Sequence, residues 1–289
     1  MFDVHVHASP DVVPRIGDDT AVALTYREAG FDGFVLKAHH EPTVGRATAA
    51  ARASGLHVVG GVALNRTVGG INPAAVAACL YAGGRIIWFP TADAHTQEAA
   101  GLPRIVDVDR RVGRSTLCVP PVLDPTTAEL DDITLVLDLI ADFDAVLATG
   151  HVSAPECAWL LDQAASRGIG RVLLTHPSYA VPAMTIADIR SFAERGAYVE
   201  ITAYQLWHQP GMTDAYLADV ARAAGDRLVL ASDAGQTDSP HPPEALATLV
   251  DRLARQGLDH ARLSAAASEV PRSLVLRDSR VRASTPGPR

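Results

Sequence analysis

The side chains best suited to chemistry stand at the ends of apolar runs. The chain opens MFDVHVHASPD, which sets Asp3, His5 and His7 two apart between Phe2, Val4 and Val6. Later runs end LKAHH at Lys37, His39 and His40, LATGH at His151, LLTH at His176 and LASD at Asp233. Residues two apart on a strand share a face. The spacing therefore predicts Asp3, His5 and His7 on one face, pointing inward, with Val4 and Val6 packed outward. Two neutral imidazoles side by side form a ready clamp for a metal ion. His151 and His176 end neighbouring runs and can reach the same ion. Asp233 follows a run that should be buried, where an unpaired carboxylate is costly and calls for a cation or for donors. Beside a metal it can also take the proton of a water; an N-cap or a salt bridge is the alternative. Lys37 and His39 share parity and face the same interior. Lys37 bridges two ions if carboxylated, contacts substrate, or pairs with an acid such as Asp3. His39 and His40 are open to roles as ligands, acid–base groups or rim residues.

The elements that position these residues repeat along the chain. Strands are expected at 2–7, 33–39, 57–64, 85–91, 145–151, 171–176, 197–202 and 227–233. Helical patterns lie between and after them, at 20–29, 44–54, 73–82, 126–142, 155–167, 186–195, 214–224 and 243–256. Most of these helices run into Gly30, Gly55, Gly83, Gly168, Gly196, Gly225 or Gly257, where a left-handed residue ends a helix. Eight strand–helix units predict an α/β fold of parallel βαβ type, closed as a (β/α)8 TIM barrel. In such a barrel the C-terminal strand ends form the active-site rim, and five of the eight expected strands end there in His or Asp. The interval between strands four and five is the longest. Its excess, residues 92–125, is expected to be a lid or cap over that rim. Ser153 and Glu156 read as a capping box with Pro155 early in its helix, so Glu156 is assigned to structure. The barrel domain is expected over 1–277, with a disordered Arg/Ser/Pro-rich tail at 278–289.

Bulk properties exclude several classes of function. The net charge is −8 and no basic run stands out, which argues against nucleic-acid binding. No stretch of about 18 apolar residues is present, so no membrane span is expected. The first strand begins at residue 2, with no signal-peptide pattern before it. Cys79, Cys118 and Cys157 are scattered, without zinc-site spacing or a disulfide framework. A cytoplasmic location, a small-molecule substrate and a homo-oligomeric state are the expectations that fit these features.

The ordered set of strand ends resembles the amidohydrolase superfamily of metal-dependent hydrolases. In that family HxH ends the first strand, single histidines end the fifth and sixth, and an aspartate ends the eighth. The resemblance covers residues 1 to about 277 and includes ASEVPRSLVL, similar to the helix that closes many such barrels. It implies His5, His7, His151, His176 and Asp233 as ligands of zinc, with manganese or iron as alternatives, and one or two ions. The fourth strand departs from the pattern: RIIWFPTADAH offers no bridging Lys or Glu, although Asp93 and His95 lie just beyond it, and Lys37 is a substitute bridge. The stretches DVHVHASPD and KAHHEPTVGRATAAARASGLHVVGGVAL are also similar to the opening of PHP-family phosphoesterases. There Ala38-His39 stands where that family has Asp-His, and its barrel usually has seven strands.

The expected reaction is hydrolysis of an amide, cyclic amide or related C–N bond by a metal-activated water. A lactone or ester is the near neighbour. Phosphoester cleavage, decarboxylation and a non-catalytic metal site are the alternatives. Asp233 is the expected proton shuttle. Arg66, which follows the third strand, is the expected anion clamp or a rim salt bridge. His39, His40 and Tyr204 are expected to meet the substrate, with Trp207 and His208 near Tyr204. Glu200, inside the seventh strand, is free to face either way.

Overall fold

The computed structural model describes residues 1–109, 111, 115–122 and 126–276. Nine parallel strand segments follow in order: β1 (Phe2–Val6), β2 (Gly33–Leu36), β3 (His57–Val59), β4 (Gly61–Ala63), β5 (Ile86–Trp88), β6 (Val146–Ala148), β7 (Val172–Leu174), β8 (Tyr198–Thr202) and β9 (Leu228–Ala231). β1, β2 and β3 pair in one sheet, and β4 through β9 pair in sequence order in another. Only Gly60 separates β3 from β4, so the two are halves of one strand. At the other seam the Asp233 N–H donates to the His5 carbonyl at 2.8 Å and the His7 N–H donates to the Ala234 carbonyl at 2.9 Å. β1 therefore lies beside β9 and the ring of eight strands closes, as a (β/α)8 fold requires.

The expected helices form within a residue or so of their predicted ends, from Asp19–Glu28 to Pro242–Arg255. All seven glycines expected to end helices take positive φ. Their local reasons differ. Asp18 accepts the Ala21 N–H at 2.7 Å and so begins the first helix, while Pro73 sits early in Pro73–Tyr81. Among the described residues no helix is long and apolar enough to cross a membrane.

Two apolar layers hold the barrel. Outward-facing side chains such as Val6, Leu36, Leu64, Leu147 and Ile201 pack under the helices. Inward-facing Phe2, Val4, Val35, Trp88, Ala148 and Val229 fill the lower barrel. Each fully buried large side chain contributes roughly 1.5–3 kcal/mol. The helix Glu269–Val275 closes the bottom, as its sequence suggests, with Leu274 and Val275 in the inner layer. Arg171 donates to the Ser273 and Leu274 carbonyls and Arg85 to that of Val275, which fastens this plug by its C-terminal end.

The first strand departs from strict alternation. Asp3 pairs with Phe34 and Val6 with Leu36, so three steps on β1 face two on β2. One extra residue makes a bulge, and the parity of the strand changes at it. Val4 joins the inner layer rather than packing outward, while Val6 does face the helices. Asp3 does not share the histidine face. Its carboxylate accepts the Tyr26 hydroxyl at 2.6 Å, the Ser232 N–H at 3.1 Å and the His5 N–H at 3.1 Å. Burial pushes its pKa up to about 6, even though these donors favour the carboxylate.

Several strands also stop earlier than expected. β2 ends at Leu36, β6 at Ala148 and β7 at Leu174, so Lys37, His39, His151 and His176 stand on the first loop residues. There the ladder gives way to cross-bonds: Thr175 N–H donates to the Thr149 hydroxyl and Gly150 N–H to the Thr175 hydroxyl, both at 3.1 Å. The long excursion after β5 carries the short helices His95–Ala99 and Ile105–Val108. Glu156 reaches back to the Ser153 N–H at 2.7 Å, as a capping glutamate does. It also accepts the Val119 N–H at 2.8 Å and meets His95 Nε2 at 2.8 Å, which ties the excursion to the barrel. Positions 110, 112–114 and 123–125 of the expected lid, and the expected tail 278–289, lie outside the described residues.

Removing the Asp3 carboxylate strands three buried donors. Asp3→Ala should cost about 3 kcal/mol or more, and Tyr26→Phe about 1 kcal/mol. Urea unfolding measures both; a loss below about 1 kcal/mol for Asp3→Ala would show that the seam closes without it.

Candidate metal centre

Above the apolar floor the barrel interior becomes polar. The bulge in β1 turns His5 inward and His7 follows it, while β9 delivers Asp233. Asp233 Oδ1 lies 3.0 Å from His5 Nε2 and 3.2 Å from His7 Nε2. One donor atom from each of the three falls within 4.8 Å of the others, the dimensions of a coordination sphere. Glu200 faces inward on β8. Both its oxygens sit 3.2 Å from His5 Nδ1, and it accepts the His176 N–H at 3.0 Å. A proton on His5 Nδ1 directed at Glu200 leaves Nε2 free to ligate.

His151 and His176 complete the arrangement. His151 Nδ1 faces Gln97 Oε1 at 3.0 Å, and its Nε2 is buried without a partner. The Nδ1 atoms of His7 and His176 are likewise buried and unpartnered. His39 inserts between His7 and His151. The five imidazoles form a closed ring, with centroids 5.3 Å apart from His5 to His7, 5.1 Å to His39, 6.1 Å to His151, 4.9 Å to His176 and 5.8 Å back to His5. Lys37 Nζ stands 3.0 Å from His5 Nε2 and 5.5 Å from the centroid of the Trp88 ring. Its alternative pairing with Asp3 does not occur, because Asp3 is turned to the other face.

Two of the four described non-glycine residues with positive φ stand at the same place. His176 has φ of 26° and Asp233 of 49°, conformations that non-glycine residues hold only when their surroundings fix them. The neighbouring glycines make room for this. A Cβ on Gly235 would lie 2.0 Å from the His7 carbonyl oxygen, and one on Gly150 2.1 Å from that of Phe89.

Burial dominates the electrostatics. It lowers His7 to about 3, with help from the charge of Arg15, and lowers His176 to about 4. His39 and His151 are driven well below the usual range by the same desolvation. Lys37 falls to about 8 because burial outweighs the attraction of Asp233 and Glu200. His5 and Asp233 behave as a pair. Burial opposes charge on each, but their mutual attraction raises His5 and holds Asp233 well below the carboxylate range. The result is four histidines, His7, His39, His151 and His176, held toward the neutral form beside the paired His5 and Asp233. With unpartnered nitrogens beside it, that donor set fits a divalent transition ion.

A cavity of about 380 Å³ opens above the ring, lined by His7, Lys37, His39, His151, His176 and Asp233 among others. His40 and Tyr204 also line it. Arg66 does not. Its guanidinium reaches the Ser115 carbonyl at 3.4 Å and its N–H donates to Asp93, because the turn after β4 runs under the excursion. Asp93 and His95 are likewise engaged elsewhere, Asp93 with Arg66 and His95 with Glu156. His208 bonds Ser239 and Trp207 is 37% exposed. Arg15, Arg104, Gln97 and Tyr179 line the cavity without having been singled out in the sequence. Arg15, Arg104 and Tyr179 stand on loops and Gln97 on the short helix His95–Ala99, where no periodicity marks a side chain's direction. Glu200 had a signal, since the alternation of Val199 and Ile201 around it predicts the opposite face.

The neutral histidines set a pH dependence. An unfolded histidine takes its proton near 6.5, whereas folded His7 and His176 resist until about 3 and 4. Between those limits the unfolded chain binds more protons, so these two residues remove stability from the metal-free protein as pH falls below 6.5. Asp3, raised to about 6, and His5, also raised, act in the opposite sense. Urea unfolding of chelator-treated protein from pH 7.5 to 5 should show His176→Asn losing less stability than the parent chain. Parallel pH profiles would refute neutral burial of His176.

The description of a family of unknown function, DUF6282, matches residues 1–200. That span holds every histidine of the ring and Glu200 but ends before Asp233. No curated protein matches the sequence. Solved structures share the fold. A probable 2-pyrone-4,6-dicarboxylic acid hydrolase from Acinetobacter baumannii, with citric acid bound, superposes with a TM-score of 0.62 at 14% identity, covering 94% of this chain and 98% of that one. The organophosphorus hydrolase from Deinococcus radiodurans gives 0.60 at 14% identity, over 95% and 91%. An amidohydrolase from Pseudomonas aeruginosa gives 0.60 at 11%, over 95% and 96%. The (β/α)8 fold expected from the repeated strand–helix units is therefore the fold observed, and these hydrolase structures share it. By its match over residues 1–200, the chain belongs to the DUF6282 family.

Proposed function

We propose that this protein is a metal-dependent hydrolase acting on a small molecule, with an amide, cyclic amide or related C–N bond as the target. The observation that carries the proposal is the buried His5–His7–Asp233 cluster with unpartnered nitrogens of His151 and His176 beside it. His5, His7 and Asp233 would hold the ion, with His151 and His176 as further ligands, and zinc suits this nitrogen-rich set, with manganese or iron as alternatives. A bound divalent ion would supply a water of lowered pKa and a Lewis acid for the carbonyl. The chain's own part is positional and protonic. Glu200 fixes the His5 ring through Nδ1. Asp233 Oδ1, in the left-handed conformation that turns it over the ring, accepts a proton and returns it to the leaving nitrogen. Lys37, whose Nζ lies 3.0 Å from His5 Nε2, would bridge two ions only if carboxylated. The cavity volume suits a small substrate, with His39, His40 and Tyr204 along its wall. The free cysteines Cys79, Cys118 and Cys157 are consistent with a cytoplasmic setting.

A second reading rests on His39. Its place within the imidazole ring supports a multinuclear phosphoesterase, whereas the eight-stranded ring favours the amidohydrolase type. Lactone hydrolysis differs from amide hydrolysis only in the leaving atom and belongs to the first reading.

Elemental mass spectrometry of the purified protein should find about one or two divalent ions per chain, lost in the double variant His5→Ala/His7→Ala. Against a panel of cyclic amides, lactones and phosphoesters, Asp233→Asn should lose about a hundredfold or more in kcat while losing much less metal. Full turnover in Asp233→Asn would remove it as the shuttle, and a parent chain that takes up no ion would remove the hydrolase reading. Selective phosphoester cleavage would favour the second reading.

A further inference from the structure

We propose that the cavity above the imidazole ring binds a small organic acid, with its carboxylate held by Arg15 and Arg104. This deepens the hydrolase reading by naming a substrate class, and it rests on that reading only for what happens to the bound molecule.

Two guanidinium groups stand in the cavity lining, on separate loops. The Arg15 side chain is only 5% exposed. Its Nε and Nη2 converge on one oxygen of Asp11, at 2.8 and 2.6 Å. A guanidinium carries five N–H donors, so this contact orients the fork and leaves donors over. The loop that carries Arg15 is fastened to the strand end bearing Asp233. The Ile16 N–H donates to the Gly235 carbonyl at 2.8 Å, and Arg15 forms an antiparallel bridge with Gln236. Arg15 therefore sits at a fixed place relative to the proposed metal ligands.

Arg104 enters from the excursion after β5 and is 4% exposed. Glu98 Oε1 accepts from it at 2.9 Å and the Ser115 carbonyl at 3.1 Å, and the buried Asp93 carboxylate lies 3.7 Å from its Nη2. These contacts hold its guanidinium within the wall. The mouth around the two arginines is apolar, with Val12, Val13, Leu102 and Ile105. Val12 and Val13 are 41% and 45% exposed. Buried guanidinium groups inside an apolar wall match a ligand with an anionic end and an apolar body. The shared chemistry is that of an oxyanion, which carboxylates and phosphate monoesters both supply. Asp11, Asp107 and Asp233 also line the space. Their charge penalises a dianionic phosphate more than a monoanionic carboxylate, so the geometry favours the organic acid.

Calorimetric titration of the protein as purified, with its metal content measured in parallel, tests this with hexanoate, neutral hexanamide and butyl phosphate. Hexanoate should bind more tightly than the other two. Arg15→Gln and Arg104→Gln should each weaken hexanoate about tenfold or more and leave hexanamide unchanged. Arg15→Lys and Arg104→Lys keep the charge but lose the fork, and should fall between; they also serve if a glutamine variant does not fold. Hexanoate affinity that is absent in the parent chain, or equal in all variants, overturns the proposal. Tighter binding of butyl phosphate overturns the choice of carboxylate. Arginine-dependent hexanoate binding in a protein without metal would leave this site standing and remove the hydrolase reading alone. Metal with arginine-independent binding would do the reverse.

Discussion

The buried carboxylate of Asp3 is the contact on which the centre depends. It accepts an N–H from its own strand, one from Ser232 just past β9 and a hydroxyl from the first helix. Those three donors come from three layers of the structure, and one side chain joins them. The bond to the His5 N–H lies within the β1 bulge, and the bond to Ser232 lies at the seam where the barrel closes. Because the bulge inserts one residue, His5 and His7 face inward above Val4 rather than outward. Because the seam closes at Ser232, Asp233 arrives within 3.2 Å of both histidines. The candidate ligands therefore meet through a residue that faces away from them.

The polar ring above the apolar floor is a second consequence of burial. Imidazoles about 5 Å apart in a dry interior cannot all be charged, since like charges and desolvation act in the same direction. His7, His39, His151 and His176 are driven toward the neutral form, which is the form that binds metal, while His5 is raised by Asp233. Asp233 stays ionised because His5 faces it, and Glu200 orients His5 from behind. The positive φ at His176 and Asp233 fits this arrangement. The chain holds two strained residues where their side chains must converge, and Gly150 and Gly235 admit the close backbone approach that this needs.

Much of the frame was legible in the sequence for local reasons. Helix ends carry their own signals, and the glycines after them took the predicted conformation. The barrel order followed from repetition of strand and helix. The histidines at four strand ends and Asp233 at a fifth came together because that architecture gathers all strand ends at one rim. What failed was the face of Asp3 and Val4. Period-two reading assumes an unbroken ladder, and nothing in the letters DVHVH marks an inserted residue. Arg66 failed for a different reason. The arginine that follows a strand looks like the rim cation, but the path of its turn carries it under the excursion. Arg15 and Arg104 take the cavity wall from loops whose courses are set by distant contacts, with Gln236 in one case and with Glu98 and Ser115 in the other.

The excursion after β5 makes the site a joint product of barrel and loop. Gln97 fixes the ring of His151 through Nδ1, so a proposed ligand of the barrel rim takes its orientation from outside the barrel. The Thr96 hydroxyl donates to the backbone carbonyl of the same histidine. Glu156, which caps a barrel helix, holds the far side of the excursion through Val119 and His95. Arg104 and the wall residues Leu102 and Ile105 come on this same segment. The division of labour is therefore physical. Strand ends and the first residues beyond them carry the donors that must share one ion. The loop, free of the ladder, supplies the surface that meets the rest of a ligand. Because the loop also orients His151, a change in the wall is transmitted to the ring itself, and the two cannot vary independently.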